Sequence, residues 1–346
     1  MTRVRLAVVG CGLAARNLHL PALQERARKF RLVAACSRTA PKARAFARLA
    51  GVPEWTDDWR SLLTRDDIDA LLVATPVELN LPIARAALRA GKHLLVEKPL
   101  ATSMPECRAM VRLANAHPHV VAMLAENFRH RPAFRRIGAE LDAGTIGPVA
   151  VVQWTTATDV APETSAYART AWRLNHVYPG GFVMDAGVHF VHAIRFLFGE
   201  IVRVASWAGS ANPVIGSTDM HHMEFDTATG VHGVLCQYFS ARGIRQDRLT
   251  IVGATGTLVL DAGELTLHRR GRAPRRLARR DDGGYRAQLD AFHAAIVAGA
   301  PVETSFAEGL RDFRALAASL RSAARGRPVR IVPDAASGLT AGRRRA

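Results

Sequence analysis

Lysine is nearly absent: Lys29, Lys42, Lys92 and Lys98 are the only four among 47 Lys and Arg residues, so arginine carries almost all of the positive charge. Cysteine is as scarce. Cys11, Cys36, Cys107 and Cys236 are scattered without a CxxC pair, which excludes a disulfide framework and a structural zinc site and leaves them as reduced packing residues. Aromatic residues make up only 6% of the chain, and none interleaves with the arginine-rich stretches, so the stacking platforms of a nucleic-acid surface are missing. The net charge of +17 is therefore read as an arginine-for-lysine, alanine-rich coding bias, with neither nucleic acid nor membrane as a partner. Its two densest clusters, "HRRGRAPRRLARR" (His268 to Arg280) and the terminal "GRRRA", stand beside Gly or Pro and read as a loop and a frayed end. No apolar run is expected to reach membrane-spanning length. The opening "MTRVRLAVVG" enters a strand pattern at once, without the features of a secretory signal, and a cytoplasmic location is expected.

What the chain does have is apolar periodicity. Its 346 residues are 49% hydrophobic, enough for two domains with a core in each. Short apolar runs ("RVRLAVVG", "RLVAACS", "IDALLVATP", "HLLVE", "VVAMLAEN") alternate with helical stretches of ten to fifteen residues, the signature of βαβ units in a parallel sheet. This predicts a doubly wound domain over residues 1–124. From a helix at about Pro132 to Ala143 onward, longer strands separated by glycine-containing turns predict a large, mainly antiparallel sheet in a second domain, 125–332. A late amphipathic helix and a final "PVRIVP" follow, and residues 333–346 read as a tail. The fold class is α/β, a Rossmann domain joined to an α/β domain with an open sheet.

"GCGLAA", Gly10 to Ala15, places GxGxxA between a strand and a helix. Gly10 permits the tight turn and Gly12 a close approach of backbone to a pyrophosphate. The turn through Cys11, Leu13 and Ala14 turns helix-terminal amides toward the phosphates. The second strand ends in "CSRT", where an NAD enzyme would carry an acid for the ribose 2′-hydroxyl. Ser37 removes that charge and Arg38 offers a guanidinium for a 2′-phosphate, which favours NADP, with NAD the alternative.

Two further stretches carry polar groups in apolar settings. In "HLLVEKPLATS", Pro99 disfavours a helical Lys98, so the ammonium projects beyond the strand's carboxyl end, where open parallel sheets bind ligands. In "GGFVMDAGVHFVHAIRF", Asp185, His189 and His192 fall four and three residues apart on one helix face. They could ligate a metal, form an oriented acid/base pair, or be hydrogen-bonded packing residues.

Taken together, GxGxxA, "ATP" at Ala74 to Pro76, "AGKHLLVEKPL", "ENFRHRPAF", the pair Trp172 and Arg173, "GG" followed by "DAGVH", and the closing "EGLRDFRALAASLRSAARGRPV" resemble the Gfo/Idh/MocA family of NAD(P)-dependent oxidoreductases. The resemblance runs over nearly the whole chain and implies hydride transfer between nicotinamide C4 and an oxygen-bearing carbon of a sugar, cyclitol or related polyol. It also implies a homo-oligomer built through the large sheet. Carried over by position, Lys98 reaches both the cofactor and the reacting oxygen and stabilises the developing alkoxide, while His189 takes the hydroxyl proton and Asp185 orients it; the alternative is that Lys98 itself carries the proton, and no metal is required. Thr75, Pro76, Glu97, Asn127 and Trp172 fall to the cofactor, and Arg173 to cofactor or substrate. The chain departs from the family at His192, where an Asp is usual and a substrate hydroxyl contact is altered, and at Asn80, where a histidine is frequent. Some relatives retain NAD(P) for transient oxidation, and others have become cofactor-sensing regulators; the joint presence of Lys98, Asp185 and His189 counts against the regulator.

Overall fold

The computed structural model describes residues 2–176, 178–278 and 283–332. It divides into two compact units, one running to Asn127 and taking in Gly284–Leu310, the other comprising Phe128–Gly283 and the chain from Arg311 on. The tail expected at 333–346 lies outside the described residues.

The first unit opens with β1 (Val4–Val9), β2 (Phe30–Cys36), β3 (Glu54–Thr56), β4 (Ala70–Val73), β5 (His93–Glu97) and β6 (Ala122–Ala125). All pair in parallel, in the order β3-β2-β1-β4-β5-β6. Helices α1 (Leu20–Glu25), α2 (Ala40–Ala50), α3 (Asn80–Arg89) and α4 (Met104–Ala116) connect them, α1 following a wide π turn at Ala15–His19. The central strands are apolar along most of their length because both faces are covered, Leu6, Leu71, Leu94 and Leu95 having no exposure at all, whereas the edge strand β3 is mostly exposed. The strand order reverses between β1 and β4, which opens a crevice at their carboxyl ends.

The second unit contains α5 (Pro132–Asp142), β7 (Val149–Ala157), α6 (Ala171–Leu174), α7 (Gly181–Phe198), β8 (Ile201–Gly209), β9 (Met220–Thr227), β10 (His232–Tyr238), β11 (Gln246–Gly253), β12 (Thr257–Asp261), β13 (Glu264–His268), β14 (Arg275–Ala278) and β15 (Val329–Arg330). Its nine strands run β14-β13-β12-β11-β7-β10-β9-β8-β15, antiparallel throughout except that β7 and β10 pair in parallel. Strand β14 corrects the loop expected across the arginine cluster. Arg275 and Arg276 are exposed on a terminal strand of the sheet, where charge discourages further pairing.

Helix α7 corrects a second expectation. By length and composition it could cross a membrane, with a mean hydropathy of 1.2 over 18 residues, yet 83% of it is buried within the fold. A helix apolar nearly all round is a core helix when its few polar groups find partners inside. Here Arg195 pairs with Asp312 and, at 2.7 Å, with Glu200.

The last two helices are α8 (Tyr285–Ala298) and α9 (Phe306–Arg325). Helix α8 follows the nine-stranded sheet in sequence but completes the first unit. Leu289 and Phe292 join the core around Leu6, Leu23 and Phe30, and the Phe30 and Phe292 rings stack at 6.4 Å. Asp290 receives Arg26 at 2.8 Å and Lys29 at 2.7 Å. Thr304 then accepts the amide of Leu124 and returns its hydroxyl to the Leu124 carbonyl, so the segment up to Leu310 is tied to β6.

Candidate active site

A crevice is shaped by the ends of β1, β2 and β4. Gly10 has φ +99°, donates to the Cys36 carbonyl, and leaves no room for a side chain, since a Cβ there would lie 2.3 Å from the Ala74 carbonyl oxygen. Gly12 is the opposite case: a Cβ there would meet nothing within 4 Å, so its missing side chain keeps open space in front of the turn. The helix that begins after it has no side-chain cap at its first residues. Thr75, just beyond β4, has a buried hydroxyl oxygen without a hydrogen-bond partner. An uncapped helix start, an open backbone cradle and an orphaned hydroxyl fit a dinucleotide, its pyrophosphate at Gly10 to Ala14. The Cys11 thiol turns back to the Cys36 carbonyl at 3.3 Å, and burial pushes its pKa up to about 12. Ser37 is half-buried at the end of β2 and Arg38 beside it is exposed.

At the mouth of β5, Glu97 and Lys98 are held by residues that sequence reasoning passed over or read otherwise. His19, 1% exposed, meets the Glu97 carboxylate at 2.6 Å, and the other carboxylate oxygen accepts the Lys98 amide at 3.1 Å. The Asn80 amide nitrogen donates to the carbonyls of Pro99 at 3.0 Å, Glu97 at 3.1 Å and Leu100 at 3.3 Å. The Lys98–Pro99 peptide is cis. Asn127 is buried at the start of a 3-10 turn.

In the second unit Asp185 and His189 stand one turn apart on α7. Asp185 is 3% exposed and accepts from Arg173 Nε at 2.6 Å, and the Arg173 guanidinium lies 4.0 Å over the Trp172 ring. This engages Arg173 with Asp185 and stacks it on the tryptophan beside it. The His189 imidazole stacks on Phe128, 4.7 Å between centroids at 16°. Beneath Phe128 the rings of Phe134, Phe190 and Trp154 continue the aromatic layer to β7, where Trp154 donates to Asp247 at 2.9 Å. Phe128 was the overlooked member, although "ENFRHRPAF" places it six residues from Phe134. His192 follows on the same helix, three residues after His189. It is 1% exposed, and its Nδ1 lies 2.9 Å from Asp312 of α9. Among the described residues no group of three or more His, Cys, Asp and Glu side chains is arranged to hold a metal ion.

Residues 4–125 match the oxidoreductase family with an NAD-binding Rossmann fold, and residues 134–259 match the GFO/IDH/MocA C-terminal domain. The chain belongs to the GFO/IDH/MocA family. It is an NAD(P)-dependent oxidoreductase whose Rossmann unit precedes a large mixed, mostly antiparallel sheet. The crystal structure of an oxidoreductase from Thermotoga maritima superposes with a TM-score of 0.88 at 32% identity, covering 95% of this chain and 99% of that one. A D-apiose dehydrogenase from Paraburkholderia graminis is 30% identical over 78% of this chain and 70% of its own length. A 1,5-anhydro-D-fructose reductase from Ensifer adhaerens is 26% identical over 94% of this chain and 98% of its own.

Proposed function

We propose that this family member is an NADP-preferring dehydrogenase or reductase of a sugar, cyclitol or related hydroxy or keto compound. The observation that carries this is Lys98, anchored at the carboxyl end of β5, in the same chain as Asp185 and His189 one helical turn apart. The names of the D-apiose dehydrogenase and the 1,5-anhydro-D-fructose reductase support a sugar-like substrate. When bound, the nicotinamide supplies hydride exchange at C4. The chain's own groups handle the oxygen. In the oxidative direction His189 removes the hydroxyl proton, Asp185 orients it with Arg173 as counter-ion, and Lys98 stabilises charge developing on that oxygen. Thr75, Pro76, Glu97 and Asn127 would line the nicotinamide side.

A homo-oligomer through the nine-stranded sheet belongs to the same proposal. Trp207 is 52% exposed on β8 and Val151 39% exposed on β7, large apolar groups on a β-surface. The test of activity is a cofactor-absorbance screen of NADP and NAD, oxidised and reduced, against sugars, polyols and their keto forms. Net turnover is expected for one pair; a bound nicotinamide that never exchanges would point instead to transient oxidation.

Cofactor choice gives a sharper test. If Arg38 pairs with a 2′-phosphate, Arg38→Ala is expected to weaken NADP binding roughly tenfold to a hundredfold, the worth of one charge-assisted contact, and to leave NAD binding nearly unchanged. Titrating both cofactors by fluorescence checks it. Equal wild-type affinity for the two would remove the assignment.

A further inference from the structure

We infer that Asn80 is a positioning residue for the Lys98 turn, an inference that rests on the catalytic reading of Lys98 above. Asn80 is the first residue of α3 and 1% exposed, and its side chain does not cap its own helix. Instead its amide nitrogen serves the carbonyls of Glu97, Pro99 and Leu100 at 3.0–3.3 Å. These carbonyls flank Lys98 on both sides, so one rigid planar amide pins the peptide before the lysine and the one after its proline. Glu97 is fixed separately, its carboxylate spanning His19 and the Lys98 amide. The turn is thus held by its backbone from α3 and by its side chain from the α1 end.

A purely structural role would satisfy three backbone carbonyls, two of them in buried bonds, and nothing more. A positioning role adds a kinetic consequence, because a small misplacement of a charge-stabilising group costs rate far more than binding. The amide carries two donor hydrogens, a serine hydroxyl one and alanine none, which sets an order for the variants.

The test uses the full-length protein with D-apiose and NADP, or 1,5-anhydro-D-fructose and NADPH, whichever pair turns over. Asn80→Ala is expected to lower kcat tenfold or more with cofactor affinity unchanged, and Asn80→Ser to fall between it and wild type. In a Lys98→Met background Asn80→Ala should cost nothing further, since the group it positions is gone. A readout independent of turnover is acetylation of cofactor-free protein followed by mass spectrometry. The four lysines make it countable, with exposed Lys42 as internal reference, and Lys98 should be acetylated severalfold faster in Asn80→Ala. Variants that lose only thermal stability, that fail to fold, or that add their full effect to Lys98→Met would assign Asn80 to structure and overturn the inference. Near-normal turnover of Lys98→Met itself would overturn the underlying catalytic reading instead.

Discussion

Lys98→Met is expected to lower turnover about a hundredfold while leaving cofactor affinity within a few-fold of wild type. The ammonium meets its full counter-charge only as the carbon–oxygen bond changes order, so its contribution belongs to the transition state, and both kcat and kcat/KM should fall together. Methionine keeps an unbranched side chain, one heavy atom shorter, and removes the charge together with its donor hydrogens. Lys98→Arg is not expected to rescue, because a guanidinium is broader and does not give up a proton. Fluorescence titration of the cofactor alongside steady-state kinetics separates binding from chemistry. Near-normal turnover in either variant would make Lys98 a structural residue.

The second large effect is a contrast between two glycines two residues apart. Gly10→Ala is expected to damage the fold. A Cβ placed 2.3 Å from a carbonyl oxygen and 2.5 Å from its carbon, at φ +99°, forces β1 and β4 apart at the crevice. Strain and overpacking of this kind cost about 3 kcal/mol or more, a fall in Tm of roughly 6–12 °C. Gly12→Ala meets nothing within 4 Å and should leave Tm where it is. If the pyrophosphate approaches that backbone, the same methyl occupies its place and cofactor affinity drops more than tenfold. Calorimetry with and without cofactor reads both effects. Wild-type cofactor binding by Gly12→Ala would move the phosphates elsewhere.

Five strands of the first sheet were legible because they announce themselves locally: both faces are covered, so β1, β4 and β5 are short runs of apolar residues, each followed by a helix, whereas β3, three mostly exposed residues at the sheet's edge, carries no such run and went unread. Most strands of the second sheet were legible one by one, as runs set off by glycine-containing turns, but β14 was read as a loop, and the parallel pairing of β7 with β10, which joins strands far apart in sequence, left no local mark. Helix α8 went unseen as a part of the first unit because its partners, Phe30 and Leu23, lie near the other end of the chain. The site divides in the same way. GxGxxA, Lys98 and the Asp185–His189 spacing are local patterns. His192 shares that spacing, and only the fold shows that its partner is Asp312, 120 residues on. Asn80 read as a departure near the cofactor, and the bonds that give it a place run to carbonyls, which carry no side-chain signature in a sequence.

The placement of α8 has a consequence for how this protein is made. All six strands of the nucleotide-binding sheet have left the ribosome once Ala125 has emerged, yet the helix that covers Leu23 and Phe30 is translated only after β7 to β14. Domains commonly fold as they emerge, amino-terminal first. Here the nascent Rossmann sheet waits with part of its apolar surface uncovered until α8 has been made. A message broken anywhere between Ala15 and Tyr285 encodes the whole glycine fingerprint and an incomplete core. A stable first unit therefore reports that translation has passed α8.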